Sequence, residues 1–352
     1  MTATALSNHP AAAGSARADY RGAETAARFA DPAAELAALH SGCGLFDLGW
    51  RAKLVITGGD RVRWMNGMVT NNVRDLAAGH GNYNFLLNAQ GHIQGDLYVY
   101  NRGDYLLVDT DAGQAPRLCE IFEKYIIMDD VEVTDASDKL TALGIEGPKS
   151  RAVLEALGLA FRALQPLQVE DLTWGSVGLS IVRRAGENIE GYELWLAPAN
   201  AAALWDALIR AGATPVGTEA LELRRIELGV PRYGVDIRER DLPQETGQDQ
   251  ALNFTKGCYL GQEIVERIRS RGAVHRTFTG FRVAGAAPAP GAKVQAGGKD
   301  AGEITSVASL PSENGGRTLA LGYIRRDAGT PGAEVEVGGS KATVVTLKEL
   351  NH

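Results

Sequence analysis

Eight consecutive residues of the chain combine a thiol, an amide and a carboxylate with two glycines. The apolar spacing of Ile264, Val265 and Ile268 indicates a helix that begins directly after them. A thiol just ahead of a helix N-terminus is favoured as thiolate by the helix dipole and the free N–H groups. The alternative is a buried cysteine that packs as a small apolar side chain. The eight residues are Lys256, Gly257, Cys258, Tyr259, Leu260, Gly261, Gln262 and Glu263.

These eight residues resemble the K-G-C-aromatic-x-G-Q-E signature of the YgfZ-type folate-binding proteins. That group is related to the glycine-cleavage T-protein, an aminomethyltransferase, and acts in iron–sulfur cluster assembly or repair. Leu242-Pro243-Gln244-Glu245, upstream of the signature, belongs to the same pattern. The resemblance implies that Cys258 is a functional thiol, and it leaves the thiol's chemical role open.

A pterin-type ligand requires a carboxylate that accepts paired N–H bonds from its aminopyrimidine edge, together with aromatic or apolar walls. Asp96 and Glu193 are candidates, because each lies at the edge of a predicted strand among apolar residues. The alternative for either acid is an ordinary solvent-facing position on a strand.

Resemblance to the T-protein family assigns roles to four residues. The run 83–97 is similar to Y-x-x-x-L-N-x-x-G-G-x-x-D-D-L, in which the tyrosine and an aspartate contact folate and the aspartate is tied to catalysis. The run 191–194 is similar to G-[FY]-E-[IL], whose glutamate grips the pterin. The run 223–236 resembles a segment whose arginine lines the folate cavity, although a surface salt bridge is the ordinary role of such an arginine. The residues in these places are Tyr83, Asp96, Glu193 and Arg225.

Two departures from the T-protein pattern concern the reacting part of the site. Gly91-His92 and Gly95-Asp96 stand where that family has paired glycines and paired aspartates, so one carboxylate is missing. The loop 184–188 lacks the aromatic and hydroxyl residues of the family's R-T-G-Y-T-G-E loop. Both losses weaken aminomethyl transfer more than folate binding.

Length and composition fit a globular protein of two or three domains. The chain has 352 residues, of which 45% are hydrophobic and 22% charged. A net charge of −7 argues against a large basic surface that binds nucleic acid. No apolar run reaches the ~20 residues that cross a bilayer. We therefore expect a cytoplasmic protein without nucleic-acid or membrane partners.

The cysteines and histidines do not form a ligand pattern. Cys43, Cys119 and Cys258 are odd in number and far apart, which is neither a disulfide framework nor a zinc motif. Iron–sulfur clusters usually take four cysteine ligands. The six histidines have no ligand spacing, so no metal site is predicted.

Patterning predicts an α+β chain that ends in a β-barrel or sandwich. Asp31-Pro32 interrupts a predicted helix over 24–40 and starts a new one. Strands are predicted at 53–57, 83–88 and 96–100, with helices at 61–68 and 112–128. Short strands separated by glycine-rich turns follow from 277 onward. The predicted divisions are a flexible tail over 1–19, a folate-binding region of two α/β subdomains over 20–276, and a C-terminal β-barrel over 277–352.

A basic run follows the Cys258 stretch from Glu266 to Arg276. It is interpreted either as a solvated helix face or as a surface that captures a folate polyglutamate tail or an acidic partner.

Three functional hypotheses follow. The first is a tetrahydrofolate-binding accessory protein for iron–sulfur clients or assembly proteins. The resemblance implies a T-protein arrangement of three domains around a central folate cavity, with Cys258 at its mouth. The second is a folate-dependent aminomethyltransferase or demethylase, which needs only Asp96 to position a nitrogen of tetrahydrofolate or its one-carbon derivative. The third is a scaffold that has lost the ligand.

Overall fold

The computed structural model describes residues 2–9, 15–186, 189–311 and 316–351. Glu187 and Asn188 of the predicted loop at 184–188 lie outside these ranges. Contacts group the chain into two units, Met1–Asn84 with Leu97–Leu221, and Phe85–Asp96 with Glu222–His352. The three-part division expected from the sequence stays a prediction.

Seven α-helices and four short 3-10 helices occur in the described ranges. The α-helices are α1 Pro32–Ser41, α2 Arg61–Met68, α3 Ala115–Lys124, α4 Ser150–Ala156, α5 Ala201–Arg210, α6 Thr218–Glu227 and α7 Gln262–Arg271. The 3-10 helices are Pro198–Asn200, Pro243–Glu245, Asp249–Ala251 and Leu347–Asn351.

Among the described residues, fourteen strands lie in the first unit, except that β6 and β7 each lie partly in the second. The strands are β1 Thr2–Ala3, β2 Ala16–Tyr20, β3 Ala23–Arg28, β4 Gly44–Asp47, β5 Arg51–Thr57, β6 His80–Leu87, β7 Ile93–Asn101, β8 Leu106–Asp111, β9 Glu132–Asp135, β10 Thr141–Glu146, β11 Val169–Trp174, β12 Val177–Arg183, β13 Gly191–Leu196 and β14 Thr214–Pro215. They form sheets in the orders β1-β3-β2, β6-β7-β8-β5-β9 and β11-β12-β13-β10-β4-β14. The ends of β6 and β7 that span 85–96 are counted with the second unit.

The N-terminal region corrects two predictions. Strand β1 and all but the last residue of β2 fall inside the range predicted as a flexible tail, and β3 replaces the first half of the predicted helix 24–40. Arg21 and Gly22 have φ angles of 54° and 95°, the conformation of a tight hairpin turn, so β2 pairs antiparallel with β3. The alternating burial along β3 has period two. Helix α1 begins after Asp31, whose side chain accepts a hydrogen bond from Ala33 N at 2.9 Å.

A closed six-stranded barrel lies in the second unit, which confirms the predicted C-terminal β-barrel. Its order is β15-β18-β17-β16-β19-β20, and each neighbouring pair is antiparallel. Phe281, Val294 and Ile304 are fully buried in its core. The strands are β15 Arg276–Ala284, β16 Lys293–Ala296, β17 Lys299–Leu310, β18 Arg317–Arg325, β19 Glu334–Val337 and β20 Ser340–Val345.

Helices on the six-stranded sheet of the first unit complete a second hydrophobic core. Leu194 of β13, Ile181 of β12 and Leu204 of α5 are each fully buried in it. The fold is therefore α+β, as predicted. In the described ranges, every helix is too short or too polar to cross a membrane.

Candidate functional site

Strand β13 fixes the orientation of Glu193 in the first unit. Side chains alternate along a strand, so Glu193 and Trp195 share one face while Tyr192 and Leu194 pack into the core on the other. The indole Nε1–H of Trp195 donates to Glu193 Oε2 at 2.9 Å. Trp195 is buried and Glu193 is half-buried, so one end of the carboxylate is held while the rest is accessible.

Four aromatic rings connect Tyr83 to Glu193. Ring centroids lie 5.0 Å apart for Tyr83 and Tyr98, 6.4 Å for Tyr98 and Tyr100, and 4.9 Å for Tyr100 and Trp195. Trp195 in turn holds Glu193. Two residues predicted separately from the sequence are thus linked by a chain of ring contacts in the first unit, and a folate site formed by them stays a prediction.

Oppositely charged side chains face each other across strands β5 and β8. The register pairs Arg51 with Asp111 and Lys53 with Asp109. Arg51 Nε donates to Asp109 Oδ1 at 2.9 Å and Nη1 donates to Asp111 Oδ1 at 2.5 Å. Lys53 Nζ lies 2.9 Å from Asp109 Oδ1, and Arg21 Nη1 lies 3.3 Å from Asp111 Oδ2. The result is a buried ladder of charges.

The negative charge of Glu193 interacts with Arg51 of the charged ladder and with the neighbouring Tyr100. Burial raises the pKa of the Tyr100 hydroxyl far above its usual value, and the negative charges of Glu193 and Asp109 raise it further. Tyr100 therefore stays neutral at physiological pH. Burial lowers the pKa of Arg51, but Asp109, Asp111 and Glu193 outweigh that effect and keep the guanidinium charged.

This ladder was not predicted from the sequence. Two features of the sequence could have indicated it: a lysine inside the apolar strand 51–57, and two aspartates two residues apart in the buried strand 106–111. Charges with a period of two in such strands share one face and require partners, because buried charges are rarely left unpaired.

Asp96 and Arg225 belong to the second unit. Asp96 lies near the middle of β7 and is half-buried. Arg225 is buried: its Nε donates to Glu222 Oε2 at 2.8 Å, its Nη1 to Asp236 Oδ2 at 2.8 Å, and its Nη2 to Ser306 Oγ at 2.9 Å. These bonds tie α6 to barrel strand β17. A folate-lining role for Arg225 stays a prediction, since protein acceptors engage all three of its nitrogens.

The Cys258 stretch precedes a helix, as predicted. Gly261, with φ of 80°, is the residue before α7, and Cys258 is exposed. The alternative of a buried cysteine is therefore wrong. Tyr259 is buried, and the Lys256 ammonium lies 5.0 Å from its ring centroid.

Gln262 and Glu263, the last two residues of that stretch, stabilise the N-terminus of α7. The backbone N–H of Tyr259 donates to Gln262 Oε1 at 3.3 Å, and Glu263 is an exposed acid in the first turn of α7. An acidic side chain there interacts favourably with the helix dipole. Within the following basic run, Arg269 lies 3.6 Å from Glu266 and packs on Phe254, as expected of a solvated helix face.

Two glycines allow the start of α7 to pack on the turn between β6 and β7. A β-carbon on Gly261 would lie 2.5 Å from the carbonyl oxygen of Asn88 and 2.9 Å from Leu87 Cβ. A β-carbon on Gly91 would lie 2.7 Å from Ile264 Cβ. The backbones therefore approach too closely for any other residue.

Gly261→Ala should lower the free energy of unfolding by roughly 2–4 kcal/mol, because it combines a left-handed backbone with overpacking against a main-chain oxygen. Gly257→Ala is the matched control: the same stretch, with open space around the added carbon. Denaturant titration of both variants measures the difference. Equal stabilities would contradict the packing role of Gly261.

Burial disfavours the thiolate form of the other two cysteines. Burial raises the pKa of Cys43 to about 11, and burial also raises the pKa of Cys119. Among the residues that the structure describes, no group of three or more His, Cys, Asp or Glu side chains could hold a metal ion.

A family model and the sequences of known relatives match this chain over most of its length. Residues 8–256 match the family model described as the GCVT N-terminal domain. The chain is 30% identical to the aminomethyltransferase of Herpetosiphon aurantiacus, over 96% of this chain and 94% of that protein. It is 30% identical to the aminomethyltransferase of Rubrobacter xylanophilus, over 91% and 86% respectively.

A solved structure shows the same fold. The glycine cleavage system aminomethyltransferase T from Bartonella henselae superposes with a TM-score of 0.88, covering 99% of this chain and 97% of that one, at 22% identity. The T-protein fold implied by the sequence resemblance is confirmed.

The comparisons overturn the first functional hypothesis. The curated relatives reported above, at about 30% identity, are named aminomethyltransferase. The iron–sulfur accessory role is therefore wrong, and the second hypothesis has the better support. A catalytic role for Cys258 stays a prediction. The motif that suggested the first role has a structural function here, since its glycine and glutamine organise the start of α7.

Proposed function

Since the chain belongs to the family of the GCVT N-terminal domain, we propose that it is a tetrahydrofolate-dependent aminomethyltransferase. In such a transfer the carbon–sulfur bond to the carrier and the carbon–nitrogen bond to the departing ammonia both break, and the carbon forms two new bonds to two folate nitrogens. The hydrogens that those two nitrogens lose end on the carrier thiol and on ammonia. Tetrahydrofolate supplies the accepting nitrogens.

The observation that carries the proposal is the environment of Glu193. An aminopyrimidine edge presents parallel N–H donors, and a carboxylate accepts two of them in charge-assisted hydrogen bonds. Glu193 is half-buried, held from one side by Trp195 Nε1–H, and continuous with the rings of Tyr100, Tyr98 and Tyr83. These residues fit a flat, donor-bearing heterocycle.

Each of the proposed residues has its own task in the reaction. Glu193 binds and orients the pterin, and the tyrosines exclude water from its faces. Asp96, in the place of the catalytic aspartate of the T-protein pattern, is proposed to orient the reacting nitrogen and to hold or move a proton there.

The decisive experiment follows turnover of an aminomethylated lipoyl carrier with tetrahydrofolate. Purified protein should release ammonia and form methylenetetrahydrofolate in equal amounts, and both products should be absent without folate. If tetrahydrofolate binds but neither product forms with active enzyme as a positive control, the proposal is wrong.

Cys258→Ala should turn over within about twofold of wild type, because an exposed thiol contributes little stability and this chemistry requires no protein thiol. A folded Cys258→Ala protein that loses turnover more than tenfold would instead support the catalytic role predicted from the sequence.

A further inference from the structure

Lys53 is a fully buried lysine, and its position is unusual for a charge. It lies on β5 within the first unit, with an exposed fraction of 0%. Its ammonium lies 2.9 Å from Asp109 Oδ1, in an ion pair whose angles fall outside hydrogen-bond geometry. Burying such a pair carries a large desolvation cost for each ion, and a protein with apolar residues of similar volume in their place is often no less stable.

Asp109 does not depend on Lys53 for its compensation. Arg51 donates to the same carboxylate through Nε at 2.9 Å and to its backbone carbonyl through Nη2 at 3.0 Å. The buried carboxylate would therefore stay paired without the lysine, and stability alone does not account for a cation at this position.

The other neighbour of the Lys53 ammonium is the indole of Trp195. Nζ lies 4.8 Å from the ring centroid, within cation–π range, and the edge of Tyr100 packs on the same indole at 4.9 Å. The indole is thus fixed by a cation and by an aromatic edge. Its one donor, Nε1–H, points to Glu193 Oε2 at 2.9 Å.

We propose that Lys53 is a positioning residue for folate binding, acting on Glu193 through the indole of Trp195. A cation against the ring withdraws electron density and strengthens the N–H as a donor, as linked polar groups polarise one another in a low-dielectric interior. Glu193 is then held in one orientation before the ligand arrives, which reduces the ordering cost of binding. This inference rests on the proposed function of Glu193 as the pterin-binding carboxylate.

Lys53→Met removes the charge and keeps most of the volume. Calorimetric titration with tetrahydrofolate should give a Kd roughly tenfold higher than wild type, the effect expected for one weakened charge-assisted hydrogen bond. The thermal midpoint should change little, since Asp109 keeps Arg51. Lys124→Met is the matched control: an exposed lysine whose ammonium also lies against an aromatic ring, that of Tyr125.

A double-mutant cycle separates positioning from a merely structural role. In a Glu193→Ala background, Lys53→Met should change Kd less than about twofold, because the acceptor that the indole N–H orients is gone. An equal loss in both backgrounds would overturn the inference, as would a Lys53→Met protein that binds like wild type.

Trp195→Phe provides an independent arm if Lys53→Met fails to fold. It keeps a ring against Lys53 and Tyr100 while removing the N–H donor, and it should raise Kd by a similar factor. Wild-type affinity in this variant would overturn the inference about Lys53 but not the proposed function. If the wild-type protein itself does not bind tetrahydrofolate, the proposed function fails and the inference fails with it.

Discussion

Glu193→Gln should weaken tetrahydrofolate binding roughly 100-fold, because two charge-assisted hydrogen bonds to the aminopyrimidine edge lose the negative charge that strengthens them. The amide has the same size as the carboxylate. It can still accept from Trp195 Nε1, so the site keeps its shape while its charge changes.

Calorimetry with purified protein measures this effect directly, and steady-state kinetics should show it as a raised KM for folate with a smaller change in kcat. Glu132→Ala is the control, because it removes an exposed strand carboxylate of the same unit. Unchanged affinity in Glu193→Gln would contradict the assignment of the pterin edge to this carboxylate.

Asp96→Asn should lower kcat by a factor of roughly 10²–10³, the range expected when a positioned acid–base group is removed. The chain has lost the second carboxylate of the T-protein pair, so no neighbouring aspartate in the Gly95-Asp96 segment can substitute for it. The Kd for tetrahydrofolate should change less than tenfold.

Asp104→Asn, in the exposed turn between β7 and β8, is the control for Asp96→Asn. The assay is ammonia and methylenetetrahydrofolate formation at saturating folate. A wild-type kcat in Asp96→Asn, or a loss of folate affinity without a loss of kcat, would remove Asp96 from the catalytic step.

Local patterns of the sequence predicted the local structure well. The helix 61–68, the helix after the Cys258 stretch and the C-terminal barrel all follow from spacing, glycine positions and turn residues. Strands β2 and β3 were missed, because alanine-rich segments give little contrast between buried and exposed positions. The period of two in the burial of β3 is visible only in the folded chain.

The charged ladder beneath Glu193 could not be paired from sequence. Lys53 and Asp109 meet because the register of β5 against β8 aligns them, and register is a property of the assembled sheet. The Cys258 stretch led to the wrong functional hypothesis for a related reason. Gly261 is needed where backbones touch, so the motif reports packing as well as chemistry.

The discontinuity of the second unit has a consequence during synthesis. Residues 85–96 leave the ribosome long before Glu222, and at about 5–20 residues per second their partners follow on the order of ten seconds later. Phe85, Leu86 and Leu87, fully buried in the finished protein, stay without those partners for that time. A nascent chain paused before Gly261 should therefore be the form that chaperones bind most strongly.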